Sequence, residues 1–178
     1  MERLWAPWRS AYVTGSSGES IACIFCDATQ PGRDELMLFR GQVCFVILNL
    51  YPYTNGHLMV VPNRHAANLA TLTADEQVEL MRLTRHAEIA ITEAYTPQGI
   101  NVGINLGKAA GAGVPGHLHV HLVPRWNGDT NFMTAIGNTR VLPEELGESA
   151  KKLRPIFERL AHEEEETAER PKIAEKKI

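Results

Sequence analysis

Three of the chain's seven histidines fall in one short stretch, His117-Leu118-His119-Val120-His121. Alternate residues of a β-strand face the same side. The spacing therefore predicts His117, His119 and His121 on one face and Leu118, Val120 and Leu122 on the other. Three imidazoles in a row add nothing as sheet filling, and each needs a polar partner if buried. Two chemistries use such a row. One is chelation of a transition metal. The other is nucleophilic catalysis, in which one imidazole attacks phosphorus while its neighbours place protons and charge. The preceding segment favours the second. Gly107 to Gly116 is a glycine-rich loop containing Lys108 and Pro115, and backbone N–H groups of such loops cradle phosphate oxygens. It is not a Walker A loop, because Ala109 follows the lysine and the glycine spacing is wrong.

A second constellation is Cys23-x-x-Cys26. The chain has three cysteines, which cannot form a closed disulfide set. In a reducing compartment this pair reads as metal ligands or a redox couple. Cys44 sits in an apolar strand pattern and reads as a small buried hydrophobe.

The elements that must position these groups are legible from pattern. Residues 36–39 and 42–49 are apolar and β-rich around Gly41, a hairpin. Pro52, Asn55 and Gly56 mark a turn before a third strand, His57 to Val61, closed by Pro62. Thr73 and Glu76 form a capping box. Leu80, Leu83, Ala87, Ile91 and Ala94 then recur at helical spacing to about Tyr95, where Pro97 and Gly99 end the helix. Ile100 to Leu106 is a fourth strand and Gly116 to Val123 a fifth. Pro143 to Ala161 reads as a final helix that Pro155 should kink. The pattern is an α+β domain around an antiparallel sheet.

Length and charge exclude several classes. The 178 residues suit one domain with a proper core. A net charge of −3 does not make a basic nucleic-acid clamp, so no nucleic-acid partner is expected. No apolar run approaches the length of a membrane span, so no membrane association is expected. The start, Met1 to Arg9, lacks a secretory apolar core, and the chain reads as cytoplasmic. Residues 1–20 form an arm, 21–142 the main domain, 143–162 the C-terminal helix, and 163–178 a charged, disordered tail.

Residues 117–123 match at every position the pattern His-φ-His-φ-His-φ-φ, with φ apolar, and the chain from Cys23 to about Trp126 resembles the histidine-triad family. The segments 46–49 and 56–62 resemble the family's other motif, with its fourth histidine at His57. The stretch Trp5 to Arg9 and the run 121–126 are similar to a bacterial branch containing diadenosine tetraphosphate phosphorylases and hydrolases. The resemblance implies a five-stranded antiparallel sheet with two helices that dimerises into a continuous sheet. It implies that His119 attacks an α-phosphorus to form a nucleotidyl-histidine. It gives His121 to the phosphate and leaving group and His57 to support. Water or inorganic phosphate then takes the nucleotide. Related readings are a nucleoside phosphoramidate hydrolase and a non-catalytic nucleotide binder. A neutral imidazole is a competent nucleophile at pH 7, and splitting one displacement into two lowers each barrier.

Asn49 resembles the ribose contact and Asn105 a phosphate or ribose contact. Phe45 and Ile47 share the Asn49 face by period two, an apolar wall for a base. Gly111 and Gly113 are the cradle residues. Trp126 offers a face for a purine, within one chain or across a dimer. Likeness to zinc-bearing members implies a structural zinc held by Cys23, Cys26, His65 and His117. His86 and His162 read as solvated. One departure stands out: members often carry Ser, Thr or Gln two to four residues before the first triad histidine, where this chain has Gly113, Val114 and Pro115.

Overall fold

The computed structural model describes residues 23–30, 32, 35–130, 136 and 142–169. The arm, 1–20, lies outside them. A short helix α1 (Ile24–Ala28) leads to strands β1 (Met37–Arg40), β2 (Cys44–Leu48) and β3 (Leu58–Pro62). The long helix α2 (Ala74–Tyr95) is followed by β4 (Gly99–Ile104), β5 (Val120–Arg125) and the C-terminal helix α3 (Leu146–Glu169). The sheet runs β1-β2-β3-β5-β4, and every neighbouring pair is antiparallel. This is the α+β architecture expected.

Strand parity divides the sheet into two faces. Val46, Leu48, Leu58, Val60, Val120 and Leu122 meet Leu83, Ala87 and Ile91 of α2 and Leu153 and Phe157 of α3 in the main core. Phe45, Ile47, Met59 and Val61 point the other way and form a smaller cluster under Phe25 of α1. That second face carries the histidines.

Two details fix the hairpin and the turn ahead of His57. Glu79 of α2 is buried and accepts from the backbone amides of Gln42 (3.1 Å), Val43 (2.5 Å) and Cys44 (2.7 Å) while pairing with Arg82. A Cβ on Gly41 would lie 2.9 Å from both the Cys44 carbonyl and the Glu79 carboxylate, so only glycine admits this approach. Gly56 has φ +75°, and a Cβ there would strike the Tyr95 ring at 2.6 Å. The turn before β3 thus lies directly on the end of α2.

Thr73 and Glu76 make the expected capping box. Glu76 also takes two hydrogen bonds from Arg64, anchoring the loop that carries His65.

Two expectations need correction. The fifth strand is Val120–Arg125, not 116–123, so His117 and His119 lie outside the ladder. By the β3 register Val61 comes opposite His119 and Pro62, which has no N–H to offer, opposite Leu118, while β4 ends opposite Val120. The segment is held instead by Leu118 N–H donating to the Ala66 carbonyl at 2.6 Å. The final helix is Leu146–Glu169 rather than 143–162, passing through Pro155. Part of the expected tail is therefore helical. Arg159–Glu163 and His162–Glu166 pairs support it, and Glu164 is held by Arg82, Arg85 and His86 of α2.

At the outer edge, Arg154 of α3 donates to the carbonyls of Met37 and Glu35, each at 2.8 Å. The intervening Leu36 carbonyl faces inward to Leu48.

Candidate active site

His121 is the one triad histidine in the ladder, paired with Met59 on β3 and Gly103 on β4. His57 stands two residues before Met59, and Asn49 two after Ile47, so parity brings all three to the second face. The rings of His119 and His121 are 4.7 Å apart and nearly perpendicular. His57 and His121 are 5.2 Å apart, and Tyr53 lies 4.7 Å from His57.

Hydrogen-bond partners assign the tautomers. Tyr53 N–H donates to His57 Nδ1 at 3.1 Å, so the proton of neutral His57 sits on Nε2. That nitrogen is 3.0 Å from His121 Nδ1, which must accept, leaving the His121 proton on Nε2. His119 Nδ1 is 2.8 Å from the His117 carbonyl. A carbonyl only accepts, so His119 Nδ1 carries the proton and Nε2 keeps the lone pair. The geometry thus supplies a nucleophilic nitrogen on one ring and an N–H on its neighbour. Burial pushes the His119 imidazole below its ordinary range, against the smaller pull of the His117 carbonyl. Burial thus favours the neutral ring, the form in which an imidazole can act as a nucleophile.

The same logic turns His117 away from this chemistry. Its Nε2 donates to the Pro62 carbonyl at 2.8 Å, so the Nδ1 lone pair points at Cys23 Sγ (3.2 Å) and Cys26 Sγ (3.6 Å). His65 Nδ1 lies 3.4 Å from Cys26 Sγ. The four donor atoms are all within 4.8 Å of one another. Two thiols and two imidazoles, one oriented by a backbone carbonyl, fit a structural zinc site. Burial pushes the Cys26 thiol up, and Cys23 beside it adds to this. When bound, a zinc ion supplies the charge that favours both thiolates. A Cβ on Gly116 would sit 3.3 Å from His65 Nε2, so a larger residue there would press on the His65 ring.

The other expected site residues are placed as follows. Asn49 is engaged locally: Oδ1 accepts from Tyr51 N–H at 2.9 Å, and Nδ2 lies 3.4–3.5 Å from the His57 ring nitrogens. Phe45 is fully buried and Ile47 7% exposed, so Phe25 and the rest of their cluster cover the expected base wall. Asn105 follows Ile104, the partner of Val120, and so comes alongside His119 in register.

Gly111 N–H is spent on the Lys108 carbonyl and Ala112 N–H on that of Gly107, so neither amide is an open cradle donor. Gly113 lies beyond them, exposed. Trp126 follows the far end of β5, about 20 Å from His119 along the chain, and is not brought to the site within one chain. An open groove of about 880 Å³ between β1 and α3 contains no histidine.

Two contributors to the site, and one buried histidine outside it, escaped the sequence reading. Phe25 packs 4.9 Å from the His119 ring and 5.4 Å from His117. The Tyr53 amide sets the His57 tautomer. His86, expected in solvent, is 1% exposed and lies 2.8 Å from Glu164. A signal for Phe25 was its position between two cysteines; nothing in the pattern marked the other two.

The HIT domain model matches residues 31–128. The chain belongs to the HIT domain family. It is 43% identical over 161 residues to the AP-4-A phosphorylase of Mycobacterium tuberculosis, covering 86% of this chain and 83% of that one. It is 30% identical over 132 residues to the bis(5'-adenosyl)-triphosphatase of Dictyostelium discoideum, covering 71% and 88%. Among solved structures, it superposes on a Zn-bound histidine triad family protein from Mycobacterium smegmatis. The TM-score is 0.65 and the identity 27%, over 81% of this chain and 99% of that one.

Proposed function

We propose that this HIT protein is an enzyme that cleaves dinucleoside polyphosphates, of the diadenosine tetraphosphate class, at an α-phosphorus. The carrying observation is the tautomer pair: His119 keeps its Nε2 lone pair while His121 keeps its Nε2 proton. His119 Nε2 attacks phosphorus, and the bond to the bridging oxygen breaks. The His121 Nε2 proton goes to that oxygen as the leaving nucleotide departs. Inorganic phosphate then attacks the nucleotidyl-His119 and releases a nucleoside diphosphate. Similarity to an AP-4-A phosphorylase over most of both chains supports phosphate over water as acceptor.

Asn49 and Asn105 are proposed contacts to ribose and phosphate, and Gly113 with the following loop to phosphate. The four-ligand cluster is proposed to hold structural zinc, which the similarity to a Zn-bound neighbour supports. A homodimer is proposed because β4 is an edge strand with Val102 exposed on it; Trp126 then bears on a partner. A cytoplasmic location is proposed, where cysteines stay reduced and available to a metal.

The test is incubation with diadenosine tetraphosphate, with and without inorganic phosphate. ADP plus ATP formed only with phosphate is expected. AMP plus ATP without phosphate makes water the acceptor. His119→Ala with full turnover overturns the mechanism.

A further inference from the structure

The metal cluster and the nucleophile are not separate features. His117 faces both: its Nδ1 points at the two cysteine sulfurs, and its backbone carbonyl accepts the hydrogen bond from His119 Nδ1–H. Phe25 lies between Cys23 and Cys26 in sequence, on α1, with Cys23 as that helix's N-cap. Its ring is 2% exposed and packs on both histidine rings. α1 is five residues long, too short to hold itself together in water. Its place depends on Phe25, on Arg40 donating to the Ala28 and Thr29 carbonyls, and on what joins Cys23 and Cys26 to His65 and His117.

We propose that the four-ligand cluster is the positioning device for the nucleophile, and that Phe25 is its positioning residue. With an ion held by the four ligands, α1 is fastened to the sheet and Phe25 bears on the His119 ring. The His117 carbonyl then stays in line with Nδ1. Without the ion, α1 is held by the Phe25 cluster and by Arg40 at its far end, its cysteine end is released, and the His119 ring gains freedom of rotation. Misplacement of a reacting group by about 1 Å costs about a hundredfold in rate, so this coupling bears directly on turnover. The proposal rests on His119 being the nucleophile and on the cluster holding zinc.

The experiment compares the zinc-loaded full-length chain, the chelator-stripped chain, and the loaded Phe25→Ala and Phe25→Leu variants. Zinc content is measured by mass spectrometry. The rate at which diethyl pyrocarbonate modifies His119 is followed by peptide mapping, a readout that needs no turnover. The expected result is about tenfold faster modification of His119 in both the stripped chain and Phe25→Ala. Phe25→Ala retains its zinc, and its kcat falls about tenfold or more with KM nearly unchanged. Phe25→Leu, which keeps the apolar filling, restores most of both.

If stripping unfolds the chain by circular dichroism, the Phe25 variants decide. Equal modification rates in the loaded wild type and Phe25→Ala overturn the proposal, as does a purified chain that takes up no zinc. Failure of the nucleophile reading is separately visible: His119→Ala would then keep its turnover, whatever the modification rates.

Discussion

His57 Nε2 lies 3.0 Å from His121 Nδ1, and the Tyr53 amide behind His57 decides which of the two gives the proton. The pair works as a unit, so its effects should not add. His57→Ala and His121→Ala are each expected to lower kcat by about 10²–10⁴, and the double variant should be hardly slower than the slower single one. Steady-state kinetics on diadenosine tetraphosphate check this. Multiplicative losses would mean that the two histidines act independently.

Acid stability should hang on Glu79. Burial raises its carboxyl pKa, but the three backbone amides and Arg82 outweigh burial and hold it below the ordinary 4.5. A group with a depressed folded pKa stabilises above its unfolded value and loses that contribution as the pH falls through the folded one. Wild-type stability should therefore decline below about pH 4.5. Glu79→Gln should cost about 2–4 kcal/mol at pH 7 and show a flatter acid limb. Urea titrations across pH measure both, and a variant as acid-sensitive as wild type would refute the assignment.

Chelation should lower the melting temperature. An ion that binds only the folded chain stabilises it in proportion to the logarithm of its concentration over Kd, about 4 kcal/mol at a thousandfold excess. Cys26→Ser should lose that increment and cease to respond to added chelator. A melting temperature indifferent to chelator in the zinc-loaded wild type would remove the structural role of the site.

The end of α3 should depend on Glu164. It joins buried His86 to Arg82 and Arg85, and its loss leaves His86 unpaired in the interior. Glu164→Ala is expected to cost about 1–3 kcal/mol and to speed amide exchange over residues 160–169, with kcat unchanged. Exchange as slow as in wild type would show that the i,i+4 pairs hold this turn by themselves.

The hairpin, the capping box and the long helix were legible because each is a local pattern: alternation around Gly41, Thr73 with Glu76, apolar residues at helical spacing. The histidine motif and the Cys-x-x-Cys were equally plain. What could not be read depends on groups far apart in the chain. Period-two reasoning put His117, His119 and His121 on one strand, whereas the strand begins only at Val120 and the carbonyl of Pro62, 55 residues from His117, accepts from the His117 ring. That bond gives His117 to the cysteines and separates its role from that of His119. His86 shows the same limit: its place on α2 implied solvent until a longer α3 covered it. Phe45 and Ile47 were correctly assigned to a face, but parity gives no sign of a neighbour such as Phe25 lying over them.

The guanidinium of Arg154 gives the sheet a direction of growth. By occupying the outward carbonyls of residues 35 and 37, it denies an incoming strand its hydrogen bonds at β1. Among the described residues, no strand pairs with the far side of β4. The pairing proposed at β4 would therefore join two copies open end to open end and stop there. The same residue that ties α3 to the hairpin thus acts against endless stacking, favouring a finite pair over a fibre.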